Sequence, residues 1–165
     1  EVAKRAVPFG MKVIYFCRHP NPADDAAYGV QSVSMEELLK ESDYVVAAVP
    51  LTDQTFHLFN EERIAQMKAG SVLINIARGP VVDEEALAQA LASGHLGGCA
   101  VDVFPKEPCT NSVLTRYANA LLTPHSATST AENSKATNFA AANNLVNYLK
   151  KDIDAKYVVV QGTRY

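Results

Sequence analysis

No apolar run in this chain approaches the ~20 residues that a membrane span needs, and no signal peptide opens it. The expectation is a cytoplasmic protein with no membrane contact. The three cysteines (Cys17, Cys99 and Cys109) are odd in number and lack metal-ligand spacing. That argues against a disulfide framework or a metal site and for reduced thiols. Basic residues are scattered and the net charge is −3, so no nucleic-acid surface is expected. No internal repeat or low-complexity linker interrupts the 165 residues, a length that suits one core at roughly 100–200 residues per domain. None of the eight glycines belongs to a Gly-x-Gly-x-x-Gly turn.

What is present is alternation. Glu1–Val7 reads as a helix with no cap before it, and Gly10 sits where a terminating glycine belongs. Pro8, in what would be the last turn, is out of place there. Lys12–Cys17 reads as a strand, and Asn21-Pro22 as the close of a turn. Ser34–Glu41 is a helix with a Ser-x-x-Glu capping box, and Asp43–Val49 another strand, stopping at Pro50. Asn60–Lys68 reads as a helix ended by Gly70. Ser71–Ile76 (SVLINI) has the composition of a strand buried on both faces of a parallel sheet. Ala77-Arg78-Gly79-Pro80 breaks it, and a helix over Asp83–Ser93 follows, with Asp83 as its N-cap and Gly94 beyond its end. Cys99–Phe104 and Ala120–Thr123 read as strands, and Ser129-x-x-Glu132 as a second capping box opening a helix to about Lys150. The tail carries an apolar run, Tyr157–Val160. The fold class that follows is α/β: a doubly wound, Rossmann-like parallel sheet. A nucleotide domain of that class would start with a strand and a glycine-rich turn before the first helix. The expected organisation is therefore an incomplete dinucleotide-binding domain over residues 1–150, with 151–165 a tail leading to another surface.

Ligands bind open α/β sheets at the carboxyl ends of the strands. Three consecutive strand ends carry Arg78, Glu107 and His125. Taken singly each has a plainer explanation: Arg78 pairs with Asp83, Glu107 with solvent beside Lys106, and His125 is structural after Pro124. Taken together they supply what reduction of a 2-oxo acid requires. A guanidinium grips the carboxylate and polarises the ketone, an imidazole moves the proton, and a carboxylate sets the imidazole's tautomer. The hydride has to come from a cofactor. At the end of Lys12–Cys17 stand Arg18 and His19, with no acid before Asp24 and Asp25. An acid there would receive the ribose of NAD, whereas an arginine accommodates the 2′-phosphate of NADP. Either cofactor is open, with a lean to NADP.

The runs PLTDQTFHLFNEERIAQMKAGSVLINIARGPVVDEEAL, GHLGGCAVDVFPKEP and NALLTPHSATST resemble the D-isomer-specific 2-hydroxyacid dehydrogenases, in that family's order and spacing. The resemblance extends from Glu1 to about Lys150. It implies that Arg78 binds substrate, that Glu107 pairs with the histidine and that His125 is the acid/base. It further implies that Arg18, His19, Pro50, Thr55, the Ala77–Arg78 backbone, Asp102 and His125 line the cofactor, with Asp102 meeting the nicotinamide amide. The glycine-rich loop and the family's substrate domain are not among these residues, so the segment alone is expected to be inactive. A homodimer and a small 2-oxo or 2-hydroxy acid as substrate are also implied.

Two other functions fit the pattern. One is a dinucleotide-sensing, corepressor-like binding protein of the same fold without turnover, and the other a different Rossmann-like enzyme such as a methyltransferase. The order Arg, Glu, His on successive strand ends leaves the latter little room.

Overall fold

The computed structural model describes residues 1–154, apart from the side chain of Asp24, together with Tyr157. The chain divides into two compact units, Glu1–His125 and Ser126–Tyr165. The apolar run Tyr157–Val160 and the course of the tail lie outside the described residues, Tyr157 excepted.

The first unit is a Rossmann-like α/β fold of six parallel strands flanked by helices. Strands β1 (Val13–Tyr15) and β2 (Val30–Ser32) pair with each other. Strands β3 (Tyr44–Ala47), β4 (Val72–Asn75), β5 (Gly98–Val101) and β6 (Ala120–Leu122) form a four-stranded sheet in sequence order. The register aligns Val45, Leu73 and Cys99 across three strands, and Cys99 with Ala120 across the last pair. Short crossovers between adjacent parallel strands put every carboxyl end at one edge of the sheet.

The helices begin where side chains can satisfy free backbone donors. Helix α1 (Val2–Ala6) has no side-chain cap at Glu1 and runs into a 3-10 turn, Val7–Phe9. Pro8 lies at the start of that turn, where its missing N–H costs nothing. Gly10, at φ 78°, closes it. Helix α3 (Met35–Glu41) is capped by Ser34, and α4 (Glu61–Ala65) by Asn60. Helix α5 (Glu84–Ala92) is capped by Asp83, whose carboxylate accepts from the N–H groups of Glu85 and Ala86. In the second unit the long helix α6 (Ala131–Leu149) is capped by Thr130, not by Ser129. The Thr130 hydroxyl lies 3.1 Å from the Asn133 N–H.

Several sequence expectations are corrected. Asn21-Pro22 does not merely close a turn. Asn21 caps helix α2 (Pro22–Tyr28), with Pro22 in its first turn, and the strand β2 follows at once. A seven-residue helix with the sequence PADDAAY has almost no apolar stripe to announce it. The strands are one to three residues shorter than the apolar runs at one or both ends, because the flanking residues turn toward loops. Nor is Ser71–Ile76 buried on both faces. Leu73 and Asn75 are buried, Val72 and Ile74 are half-buried, and Ile76 is exposed.

Leu39, Ile64, Leu73, Leu87, Leu96 and Leu114 are the largest apolar side chains sealed from solvent. They join α3, α4, α5 and the sheet in one core. Truncating one such leucine to alanine typically costs about 2–5 kcal/mol. The Ser71 hydroxyl, at the start of β4, is buried with no hydrogen-bond partner. A buried orphan hydroxyl costs about 1–3 kcal/mol. Ser71→Ala is therefore expected to leave the unfolding free energy unchanged or to raise it by up to about 1 kcal/mol. Urea denaturation is the check, and a clear loss of stability would mean the hydroxyl has a partner.

Candidate active site

Arg78, Glu107 and His125 arrive at one place because β4, β5 and β6 are adjacent and parallel. Arg78 lies three residues past β4, Glu107 in the loop after β5, and His125 three residues past β6. His125 Nδ1 is 2.7 Å from Glu107 Oε2. The other carboxylate oxygen, Oε1, accepts the Phe104 N–H at 2.9 Å. The His125 hydrogen bond, the Phe104 N–H and the nearby charges of His125 and Arg78 hold the Glu107 carboxyl below the ordinary carboxylate range. An ionised carboxylate only accepts, so the proton of this bond sits on His125 Nδ1. Nε2 is then the nitrogen left to exchange a proton with something else. His125 is held at φ 51°, in the left-handed region, and its N–H donates to Thr123 O at 3.0 Å.

Arg78 is exposed and does not pair with Asp83. Its Nη1 donates to the carbonyl of Ala77 at 2.6 Å. Asp83 instead caps α5 and lies 3.5 Å from His57 Nδ1. The turn around Arg78 is built by a residue that sequence reading passed over. Asn75 is buried; its Nδ2 donates to Arg78 O at 3.0 Å and its Oδ1 accepts the Ala77 N–H at 3.0 Å. An asparagine inside an otherwise apolar strand had to find partners for its amide, and that was the available signal. Gly79 was missed too. It packs so closely on the backbone of Phe104 and Pro105 that a Cβ would lie under the 3.0 Å limit of real contacts. The Arg78 turn and the Glu107 loop therefore touch backbone to backbone.

The remaining candidates form a rim along the same edge. Pro50 follows β3, and its carbonyl accepts the Thr55 hydroxyl at 2.6 Å, while Thr52 N–H donates to Thr55 Oγ1 at 2.8 Å. The segment after Thr55 is laced to the Arg78 turn. His57 N–H donates to Pro80 O at 2.8 Å, Phe59 N–H to Val81 O at 3.1 Å, and Asp83 N–H to Phe59 O at 3.0 Å. Ala77 is buried. Asp102, one residue past β5, is 8% exposed and accepts the Thr123 hydroxyl at 2.6 Å. Arg18 and His19 are exposed in the loop after β1. Arg18 Nη1 reaches Gln54 Oε1 at 3.4 Å, joining that end to the Pro50–Thr55 loop. A cavity of about 290 Å³ lies beside the histidine, with Phe104, Glu107, Cys109, Ser112, Thr123 and His125 in its wall. The three cysteines are free thiols, and burial pushes the Cys99 thiol up to about 11. Among the described residues, no helix is long and apolar enough to cross a membrane.

This chain is 41% identical over 152 residues to a glyoxylate reductase of Pyrococcus furiosus, covering 92% of the chain and 45% of that protein. It is 40% identical over 157 residues to a glyoxylate reductase of Thermococcus litoralis, covering 95% and 47%. Among solved structures it superposes on a glyoxylate reductase from Paecilomyes thermophila with a TM-score of 0.85 and 38% identity, over 91% of this chain and 45% of that one. A D-lactate dehydrogenase from Aquifex aeolicus, complexed with NAD and lactic acid, gives a TM-score of 0.83 and 34% identity over 92% and 50%. The chain thus spans about half the length of the relatives it matches. Residues 1–127 match the family model described as D-isomer specific 2-hydroxyacid dehydrogenase, NAD binding domain. A match of that extent, on a sheet with this topology, makes the chain a member of the D-isomer specific 2-hydroxyacid dehydrogenase family.

Proposed function

We propose that the protein is an NAD(P)-dependent 2-hydroxyacid dehydrogenase that works in cells as a reductase of a small 2-oxo acid. The observation that carries this reading is the 2.7 Å contact between His125 Nδ1 and Glu107 Oε2, with the Arg78 charge acting on the same carboxylate. The Arg78 guanidinium binds the substrate carboxylate and polarises the ketone. His125 gives the proton on Nε2 to the ketone oxygen and takes it back in the oxidative direction. Glu107 keeps the imidazole in the Nδ1–H tautomer and stabilises its charged form. The balance is one 2-oxo acid, one proton and one reduced nicotinamide dinucleotide against one 2-hydroxy acid and the oxidised dinucleotide. The dinucleotide, when bound, supplies the hydride.

The residues suit both ends of such a cofactor. Asp102 offers a buried carboxylate at a strand end for a carboxamide, and the Ala77–Arg78 backbone and Thr55 stand along the same edge. At the other end Asp25 is already engaged by the Tyr15 hydroxyl at 2.5 Å, while Arg18 is exposed. That favours a 2′-phosphate, so NADPH is the preferred reductant in this proposal. None of the described residues forms a glycine-rich turn, and no contact to the pyrophosphate is assigned. Glyoxylate is the first substrate to try, since relatives at about 40% identity are glyoxylate reductases.

The test is the full-length protein with NADPH or NADH and a panel of glyoxylate, hydroxypyruvate and pyruvate, read as loss of reduced-nicotinamide absorbance. Turnover with at least one acid, faster with NADPH, is expected. Tight nucleotide binding with no turnover on any acid would replace the enzyme with a dinucleotide sensor.

A further inference from the structure

Thr123 joins two groups to which the proposed reaction gives separate tasks. It is the first residue beyond β6, and its N–H donates to Val101 O at 3.0 Å, at the end of β5. Its hydroxyl is 2.6 Å from Asp102 Oδ1. Its carbonyl accepts the His125 N–H at 3.0 Å. One residue therefore grips the neighbouring strand, the buried carboxylate and the loop carrying the acid/base.

We infer that Thr123 is a positioning residue: its hydroxyl orients the Asp102 carboxylate for the carboxamide of the nicotinamide, while its backbone fixes the His125 loop. The inference rests on the dehydrogenase reading given above. At 2.6 Å the bond from the Thr123 hydroxyl to Asp102 Oδ1 is at the short end of O–H···O distances. A carboxylate removed from water depends on donors that do not reorganise. With one oxygen committed to Thr123, the carboxylate is restrained before any ligand arrives. A carboxamide N–H then meets an acceptor already in orientation, and the entropy of aligning it is not charged to binding. Loss of the hydroxyl removes the short bond that holds this carboxylate oxygen, and the effect falls on the nicotinamide end.

The experiment compares Thr123→Val, which keeps the shape and loses the donor, with Thr123→Ser, which restores it. Both are made in the full-length protein. Binding of NADPH and NADH is measured beside that of 2′-phospho-ADP-ribose and ADP-ribose, the same molecules without nicotinamide. A hydrogen bond to a charged group is worth about tenfold to 100-fold in an equilibrium constant. Thr123→Val is expected to weaken the reduced dinucleotides by roughly that factor and to leave the ADP-ribose ligands within about twofold. Thr123→Ser should bind all four within about threefold of the parent. Turnover should follow, with kcat falling more than the KM for the 2-oxo acid rises. Equal weakening of both ligand classes, no weakening of either, or a serine variant as poor as valine overturns the inference. Because the split is read in binding, it stands or falls even if the parent turns over no 2-oxo acid, an outcome that counts against the dehydrogenase reading instead.

Discussion

His125→Ala in the full-length protein is expected to lower kcat for the 2-oxo acid by about 10²–10⁴-fold, the range that a positioned acid/base contributes. The loss in kcat should exceed any loss in dinucleotide affinity, which places it in the chemical step. In the proposed reaction His125 Nε2 gives and receives a single proton while Nδ1–H stays hydrogen-bonded to Glu107. Glu107→Gln is expected to be the milder change, because glutamine can still accept through its carbonyl but no longer carries charge. The pH profile separates the two variants. The Glu107 carboxyl is lowered by its His125 bond first, then by the Phe104 N–H and nearby charges. A carboxyl lowered in the folded state favours folding above its ordinary pKa, and this contribution is lost as pH falls through the lowered value. The parent therefore keeps the Glu107 carboxylate ionised through the usual carboxylate range and loses that form only in more acid solution. The Glu107→Gln variant has no such acid transition at this site. Denaturant unfolding and steady-state kinetics, followed from neutral pH down through and below the usual carboxylate range, are the measurement. An alanine variant as fast as the parent would remove His125 from the mechanism.

Gly79→Ala is expected to be the most damaging change of a single methyl group. The added carbon meets the carbonyl carbon and oxygen of Phe104 and the nitrogen of Pro105 closer than the 3.0 Å limit. All three are backbone atoms, so no side chain can swing aside. Overpacking of this kind costs about 1–3 kcal/mol, which corresponds to a fall in Tm of roughly 3–10 °C for a domain of this size. The effect on activity should be larger than the effect on stability. The atoms pushed apart belong to the turn carrying Arg78 and the loop carrying Glu107, and a displacement near 1 Å in a reacting assembly can cost about 10²-fold. Thermal melting and kcat/KM in the full-length protein measure the two losses. A variant with normal Tm and normal kcat/KM would mean that the turn and the loop separate without consequence.

The stretch from Ser71 to Ser93 was legible because three signals agreed in it: an apolar run, a Gly-Pro break and a capped helix. Its strand and its N-cap Asp83 are where the sequence places them. The convergence of Arg78, Glu107 and His125 followed from counting strand ends, since parallel neighbours present their carboxyl ends together. Helix α2 and strand β2 were not legible, because seven residues with three alanines and two aspartates look like a loop. Thr123, Asn75 and Gly79 escaped for a different reason. Thr123 works through a bond to Asp102 in the neighbouring strand end, and Gly79 through a backbone contact with Phe104 and Pro105. Asn75 works through bonds within its own turn, and periodicity records none of these. Thr130 displaced Ser129 as the cap of α6 by one residue, a difference that depends on backbone angles alone.

The lacing of residues 57–59 to the turn 80–83 has a consequence for how such a chain can vary. Three backbone hydrogen bonds in five residues fix the spacing between Thr55 and Arg78 as rigidly as a strand would. An insertion or deletion between Thr55 and Phe59 would drag Arg78 out of place. Length changes are tolerable only at the exposed tip, Thr52–Gln54, so diversification of this rim must proceed by exchanging side chains rather than by lengthening the loop.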